Sequence, residues 1–341
     1  MTNSRRTLVL RLVLVTALVT IAVVAAGAVL AGSTASPFAT GVVDVDPRLA
    51  FTGATGAATG MVVTPSGKVL TNNHVIRGAS EIRVRIPQTR RTFRASVLGY
   101  DVSADVAFLQ LRGASRLTTV SLGDSAKATV GQRVTAVGNA GGSGALYAAT
   151  GTITALERTI TVSDQQGGVE RLTHLIQTNA ALRAGDSGGP LLDRGRHVIG
   201  MNTAASAELV FRAGRGDGFA IPIRQAASIP NQIAAGRGSA TIHVGATPFL
   251  GVSVGVASPA RGAVAAGDLV TGVRPGSPAA RAGVVPGDVI VSVSGHAVRT
   301  PTKLVAVLLR WHPGDRVELV WVDQLGNTRV ATLTLASGPP Q

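Results

Sequence analysis

The sequence predicts a mainly β protein of two units, a larger antiparallel barrel or sandwich followed by a smaller module of strands with two helices. Three observations predict it. Of the 341 residues 45% are apolar but only 3% aromatic, so the cores must be built from Val, Leu, Ala and Ile, with 42 glycines available for turns. Short Val, Ile and Thr-rich runs recur at 61–64, 68–71, 82–86, 106–111, 132–137, 151–154 and 197–203, separated by turn signals such as Pro65-Ser66-Gly67, Gly123-Asp124 and Gly141-Gly142. Near Pro248 the rhythm changes.

Taken in order, Arg5, Arg6 and Arg11 precede an apolar run at 12–31, which as a helix rising ~1.5 Å per residue would span a hydrocarbon core of about 30 Å. Residues 1–36 are therefore expected to be an export segment. The run exceeds the usual length of a signal core, which favours a single-pass membrane anchor with the domains outside the cytoplasm; secretion after a cut near Ser33-Thr34-Ala35 is the alternative. Residues 37–49 lose periodicity and read as a tether, 50–235 as the first domain closed by a helix at 223–235, and 236–246, beginning Gly236-Arg237-Gly238-Ser239, as a flexible linker. The second domain, 247–338, has strands at 250–256, 269–273 and 289–293 and a short helix after Ser277-Pro278. A helix at 301–311 and a hairpin pairing 317–322 with 328–335 complete it.

The formal net charge of +14, from 32 Lys plus Arg against 18 Asp plus Glu, is spread singly along the chain. A nucleic-acid site would need a basic cluster interleaved with aromatics, so the charge reads as a solvated surface and no nucleic-acid partner is expected. With no cysteine there is no disulfide, thiolate nucleophile or Cys-ligated metal, and any nucleophile is a hydroxyl. No metal or cofactor pattern is present in the sequence.

The sharpest chemical signal is Gly185-Asp186-Ser187-Gly188-Gly189-Pro190. Glycines beside a serine let backbone N–H groups converge near its oxygen without Cβ interference. A hydroxyl becomes a useful nucleophile only when a base takes its proton, and the base in turn needs an orienting carboxylate. Of the six histidines, His74 ends a strand-like run in Leu70-Thr71-Asn72-Asn73-His74, His197, His243, His296 and His312 follow the serine, and His174 reads as a packed strand residue. Asp105 directly precedes the apolar strand 106–111, which would hold it rigidly; Asp101, four residues earlier, reads as a solvated turn residue and is the alternative.

Five strings in order, Thr71-Asn72-Asn73-His74-Val75, Asp101 to Ala107, Gly185 to Pro190, Gly200-Met201-Asn202-Thr203 and Gly218-Phe219-Ala220-Ile221-Pro222, resemble the HtrA (Deg) family of trypsin-like serine proteases. The resemblance covers essentially everything after the tether. It implies a chymotrypsin-like double β-barrel followed by a PDZ domain, with His74, Asp105 and Ser187 as the catalytic triad. It further implies an oxyanion hole from the N–H groups of Gly185 and Ser187, a specificity pocket lined by Met201, Asn202 and Thr203, polypeptide substrates, a quality-control role and a homotrimer. Arg183-Ala184 stands where the family usually has Asn-Pro, which suggests a looser oxyanion loop, and Asp186 replaces a common Asn with no evident partner. Phe249-Leu250-Gly251-Val252 resembles the carboxylate-binding turn of a PDZ domain, with Leu304 and Leu308 facing the last side chain of a bound C-terminus or else serving as core. Two other functions are weighed against an endopeptidase. One is a catalytically silent PDZ scaffold or chaperone, the other an esterase with the same acyl chemistry.

Overall fold

The structure, a computed structural model, describes residues 37–50, 53–163, 169–203, 218–257 and 265–341. Its first strand is a departure from expectation. Residues 42–49 are not tether but strand β1 (Val42–Leu49), which pairs antiparallel with β2 (Ala58–Val62) and β4 (Ala79–Ile86). Asp44, Asp46 and Pro47 conceal the strand in the sequence. Asp44 is nonetheless buried, because Arg85 stands opposite it across the β1–β4 ladder. With β3 (Lys68–Thr71), β5 (Arg91–Asp101) and β6 (Val106–Leu111), these strands close on themselves in the order β5-β4-β1-β2-β3-β6, the bent β5 pairing with β6 as well as β4. Val45, Val69, Ile76, Val84, Leu109 and Tyr100 fill the interior.

A second closed barrel follows in the order β10-β11-β12-β9-β8-β7. Its strands are β7 (Arg133–Gly138), β8 (Tyr147–Ser163), β9 (Val169–Thr178), β10 (Pro190–Leu192), β11 (Val198–Thr203) and β12 (Gly218–Pro222). The helix expected at 223–235 is there as Ile223–Ala234; it buries Ile223, Ala226, Ile229 and Ile233 across the two barrels. The one-turn helix α1 (Asn73–Ile76) precedes it in the chain, so the longer one is α2.

Residues 242–244, expected within a flexible linker, form strand β13 (Ile242–Val244) on the edge that β5 leaves after parting from β4. Ile242 pairs with Asp101 and Val244 with Gly99. His243 is buried, its ring between the carbonyls of Leu309 (3.1 Å from Nδ1) and Ala246 (2.9 Å from Nε2) and 5.4 Å from the Tyr100 ring. The connecting segment therefore extends the barrel's sheet, and a buried polar seam joins barrel and module, completed by Tyr100 Oη to Thr247 Oγ1 at 3.1 Å and by Gly78 N–H donating to the Pro340 carbonyl at 2.8 Å.

In the module, β14 (Thr247–Phe249) pairs with β21 (Ala336–Gly338), and a sheet runs in the order β15-β16-β17-β19-β20 through β15 (Val252–Ala257), β16 (Gly267–Val273), β17 (Val289–Val293), β19 (Arg316–Val322) and β20 (Thr328–Thr334). The short β18 (His296–Ala297) pairs with β17. Helix α3 (Pro278–Arg281) starts where Ser277 Oγ accepts from Ala280 N–H at 3.2 Å, and α4 (Pro301–Leu308) where Thr300 Oγ1 accepts from Lys303 N–H at 3.2 Å. Leu250, Val270, Ile290, Leu304, Leu319 and Trp321 form its core.

Asp268 is fully buried at the start of β16, and neither carboxylate oxygen has a hydrogen-bond partner. Burial pushes its carboxyl up to about 7. A folded-state value raised above the ordinary 3.8 means the native state holds the proton more tightly than the unfolded chain, so stability falls as pH rises from about 4 to about 7 and stays low above. Asp268→Asn is expected to raise the melting temperature at pH 8 and to change it little at pH 4. An equal shift at both pH values would show that the carboxylate carries no such penalty.

Among the described residues no helix is long and apolar enough to cross a membrane, and the apolar run at 12–31 lies outside them.

Candidate active site

Strand β3 ends at Thr71, and one turn of helix carries His74 out of the first barrel. Asp105 meets it from the turn that leads into β6. Its Oδ1 accepts from the His74 backbone N–H at 2.9 Å and its Oδ2 lies 2.8 Å from His74 Nδ1. The carboxylate is 3% exposed and the imidazole 36%, so the acid is enclosed while the ring reaches the surface of a cleft. Asp105 holds a left-handed φ of 54°, unusual for a residue with a side chain, and the strain is held in place because Asn72 Nδ2 donates to its carbonyl at 3.0 Å. Asp101, the alternative, serves the turn itself: its Oδ1 accepts from Ser103 N–H, Ser103 Oγ and Ala104 N–H at 2.9, 2.7 and 3.0 Å.

Ser187 comes from the second barrel, just before β10, and is 5% exposed. Its carbonyl accepts from Thr59 N–H at 2.9 Å, and Gly188 N–H donates to the Asn202 carbonyl at 2.9 Å. Gly188 has φ +83°, and a Cβ there would lie 2.1 Å from the Thr59 carbonyl oxygen and 2.2 Å from Thr71 Oγ1. The serine loop thus packs directly on the strand end that delivers His74. Only glycine permits the approach.

The stretch before Ser187 is fixed at three points. Ala184 carbonyl accepts from Gly141 N–H at 2.9 Å, Gly185 carbonyl accepts from Thr59 Oγ1 at 2.7 Å, and Arg183 N–H donates to Asp186 Oδ2 at 2.9 Å. A trans peptide sets its N–H opposite its C=O, so the Gly141 contact fixes the direction of the Gly185 N–H. The loop with the unusual Arg183-Ala184 start is held by contacts within the chain. Asp186, whose partner the sequence leaves unnamed, bonds this main-chain N–H, and burial pushes its carboxyl up to about 6. Thr59 passed unnoticed in the sequence, a lone hydroxyl between Ala58 and Gly60 in a core strand. It touches residues 185 and 187 and also receives a hydrogen bond from Thr71 Oγ1 at 2.7 Å.

The trypsin-like peptidase domain family matches residues 58–201 and the PDZ domain family residues 269–323. Periplasmic pH-dependent serine endoprotease DegQ of Escherichia coli is 35% identical over 77% of the chain and 56% of its own length. Protease Do-like 1, chloroplastic, of Arabidopsis thaliana is 35% identical over 77% of the chain and 60% of its own. A solved structure of the HtrA-type protease AlgW with a tripeptide superimposes with a TM-score of 0.50 at 28% identity, over 90% of this chain and 97% of that one. The chain belongs to the HtrA family. It spans somewhat over half the length of these curated relatives.

Other residues of this HtrA-family chain lie differently from the sequence expectation. Met201 is in the core between the barrels, Asn202 Nδ2 donates to the Pro190 carbonyl at 3.0 Å, and Thr203 Oγ1 donates to Asp105 Oδ2 at 3.2 Å. These three side chains serve the core and the site's bracing; residues 204–217, which follow, lie outside the described residues. His174, expected to be packed, is 68% exposed and paired with Glu157. In the PDZ unit Leu250 is buried and Gly251 has φ +85°, where a Cβ would lie 2.1 Å from Ser277 Cβ. Phe249 pairs with Ala336 across β14–β21, Val252 opens the edge strand β15, and both Leu304 and Leu308 are buried in the core.

Proposed function

We propose that the chain is a serine endopeptidase that cuts partly unfolded polypeptides outside the cytoplasm through Ser187, His74 and Asp105. The observation that carries this is the double grip of Asp105 on the His74 backbone N–H and on Nδ1, beside a serine loop whose glycines seat it against the same strand end. With Nδ1 occupied by the carboxylate, Nε2 takes the Ser187 proton as Oγ attacks the peptide carbonyl. The imidazolium so formed then protonates the leaving amine, and a water repeats the sequence to release the acyl group. The N–H groups of Gly185 and Ser187 stabilise the oxyanion. Asp105 orients the ring and steadies its charge.

The PDZ unit supports polypeptide over small-ester substrates: β15 is a sheet edge to which an extended C-terminus can add as a strand, its carboxylate at the turn 249–251. The periplasmic name of DegQ supports an envelope or secreted location; residues 12–31 as anchor or signal, a role in protein quality control and assembly as a homotrimer belong to the same proposal. Incubating residues 37–341 with casein, with and without a serine-directed fluorophosphonate, tests the reading. Cleavage blocked by the reagent is expected. A chain that binds casein without cutting it or taking the label would be a scaffold instead.

A further inference from the structure

Arg85 lies in the first barrel but reaches into the second. On the β1–β4 ladder its guanidinium places Nε 3.1 Å and Nη2 2.9 Å from a single oxygen, Asp44 Oδ2. Nη2 also donates to the Gly144 carbonyl in the loop between β7 and β8. That loop is shaped to receive it: Gly144 has φ +75°, and a Cβ there would lie 1.8 Å from Nη2.

The loop is tied to itself and to the site. Asn139 Oδ1 accepts from Gly144 N–H at 2.7 Å and the Asn139 carbonyl from Gly142 N–H at 2.9 Å. Asn139 N–H donates to Thr59 Oγ1 at 2.9 Å, and Gly141 N–H holds the Ala184 carbonyl. Gly185 rests directly on this loop, since a Cβ on it would lie 2.2 Å from the Asn139 carbonyl oxygen. Arg85 is thus one end of a run of direct contacts, through Gly144, Asn139 and Gly141, whose other end is the Ala184–Gly185 peptide.

Asp44 itself is an expensive device. It is 1% exposed and its Oδ1 has no partner. A buried ion pair adds little net stability compared with apolar packing, so stability alone does not account for it. Holding a guanidinium fork in one orientation does, because Arg loses its aim when nothing fixes its rotamer.

We propose that Arg85, aimed by Asp44, is a positioning residue for the oxyanion peptide, clamping residues 139–144 so that Gly141 holds the Ala184 carbonyl and the Gly185 N–H faces the reacting centre. This role rests on the protease reading above. It touches neither substrate nor nucleophile.

The test uses residues 37–341 as wild type, Arg85→Gln, Arg85→Lys and Asp44→Asn. For each, active sites are counted by fluorophosphonate titration, kcat and KM are measured on a peptide amide, and inhibition by a peptide aldehyde is measured, since its adduct with serine carries the oxyanion. Arg85→Gln is expected to lower kcat per titrated site about 10- to 100-fold with KM unchanged, and to weaken the aldehyde by a matching factor. Arg85→Lys, a point charge without the fork, and Asp44→Asn should show smaller losses of the same kind. If the variants lose only titratable sites while each remaining site turns over normally, Arg85 is structural and the proposal fails. Normal kcat and aldehyde affinity in Arg85→Gln also overturn it. A wild type that neither cuts casein nor takes the label removes the protease reading and this role together, whereas an active wild type with unaffected variants removes the role alone.

Discussion

Ser187→Ala is expected to lower turnover on casein by roughly 10⁴- to 10⁶-fold and to abolish fluorophosphonate labelling while leaving the melting temperature near that of the wild type. The substitution deletes one hydroxyl. Two main-chain contacts hold the serine loop at this point: the residue 187 carbonyl to Thr59 N–H at 2.9 Å, and the next residue's N–H to the Asn202 carbonyl at 2.9 Å. Neither needs the side chain, so the loop and the Gly185 N–H stay where they are. A residue of catalysis over the water rate should survive from that N–H and from substrate binding. Cleavage at more than a hundredth of the wild-type rate would mean that another group attacks the peptide bond.

Asp105→Asn is expected to lower kcat by roughly 10⁴-fold, and Asp101→Asn by no more than a few-fold. The difference follows from what each carboxylate receives. Asp105 accepts from the His74 backbone N–H, from Nδ1 and from Thr203 Oγ1. An amide has one accepting oxygen, so after the substitution either the His74 backbone or the ring meets an NH₂ group. If the oxygen keeps the backbone N–H, the ring must present a lone pair at Nδ1 and carry its proton on Nε2, where it can no longer receive one from serine. Asp101 gathers its three turn contacts on Oδ1, and its Oδ2 accepts from the Thr241 hydroxyl at 2.9 Å, which can accept from an amide as easily as it donates to a carboxylate. Comparing kcat for the two variants at pH 7 settles the choice of carboxylate, and a reversed order of severity would assign the role to Asp101.

The parts of the site that could be read from the sequence are those where chemistry dictates residue type over a short stretch. A serine among glycines, a histidine at a strand end and an acid before an apolar strand each carry their meaning locally. The parts that could not be read depend on partners far along the chain. Thr203 stands where a pocket is expected, yet its hydroxyl reaches Asp105, 98 residues away. Thr59 reaches Gly185 across 126 residues. β1 was hidden because Asp44 interrupts its apolar pattern, and nothing near Asp44 in sequence discloses the Arg85 that makes its burial tolerable. β13 was hidden in another way: three residues between glycine-rich stretches look like a linker until the vacant edge of β5 is known.

That last strand bears on the birth of the molecule. Asp101 and Thr241, neighbours at the β5–β13 junction, are separated by 140 residues. At about 5 to 20 residues per second a ribosome needs roughly 7 to 28 s to make the intervening chain. During that interval the first barrel can already have closed, yet the 99–101 end of β5 is uncovered, a row of unsatisfied backbone groups open to any extended segment nearby. The second barrel, with its own strands, emerges first and is the nearest competitor. β13 therefore acts as a late seal on the nascent protein, and the order in which the chain is made sets how long that edge waits.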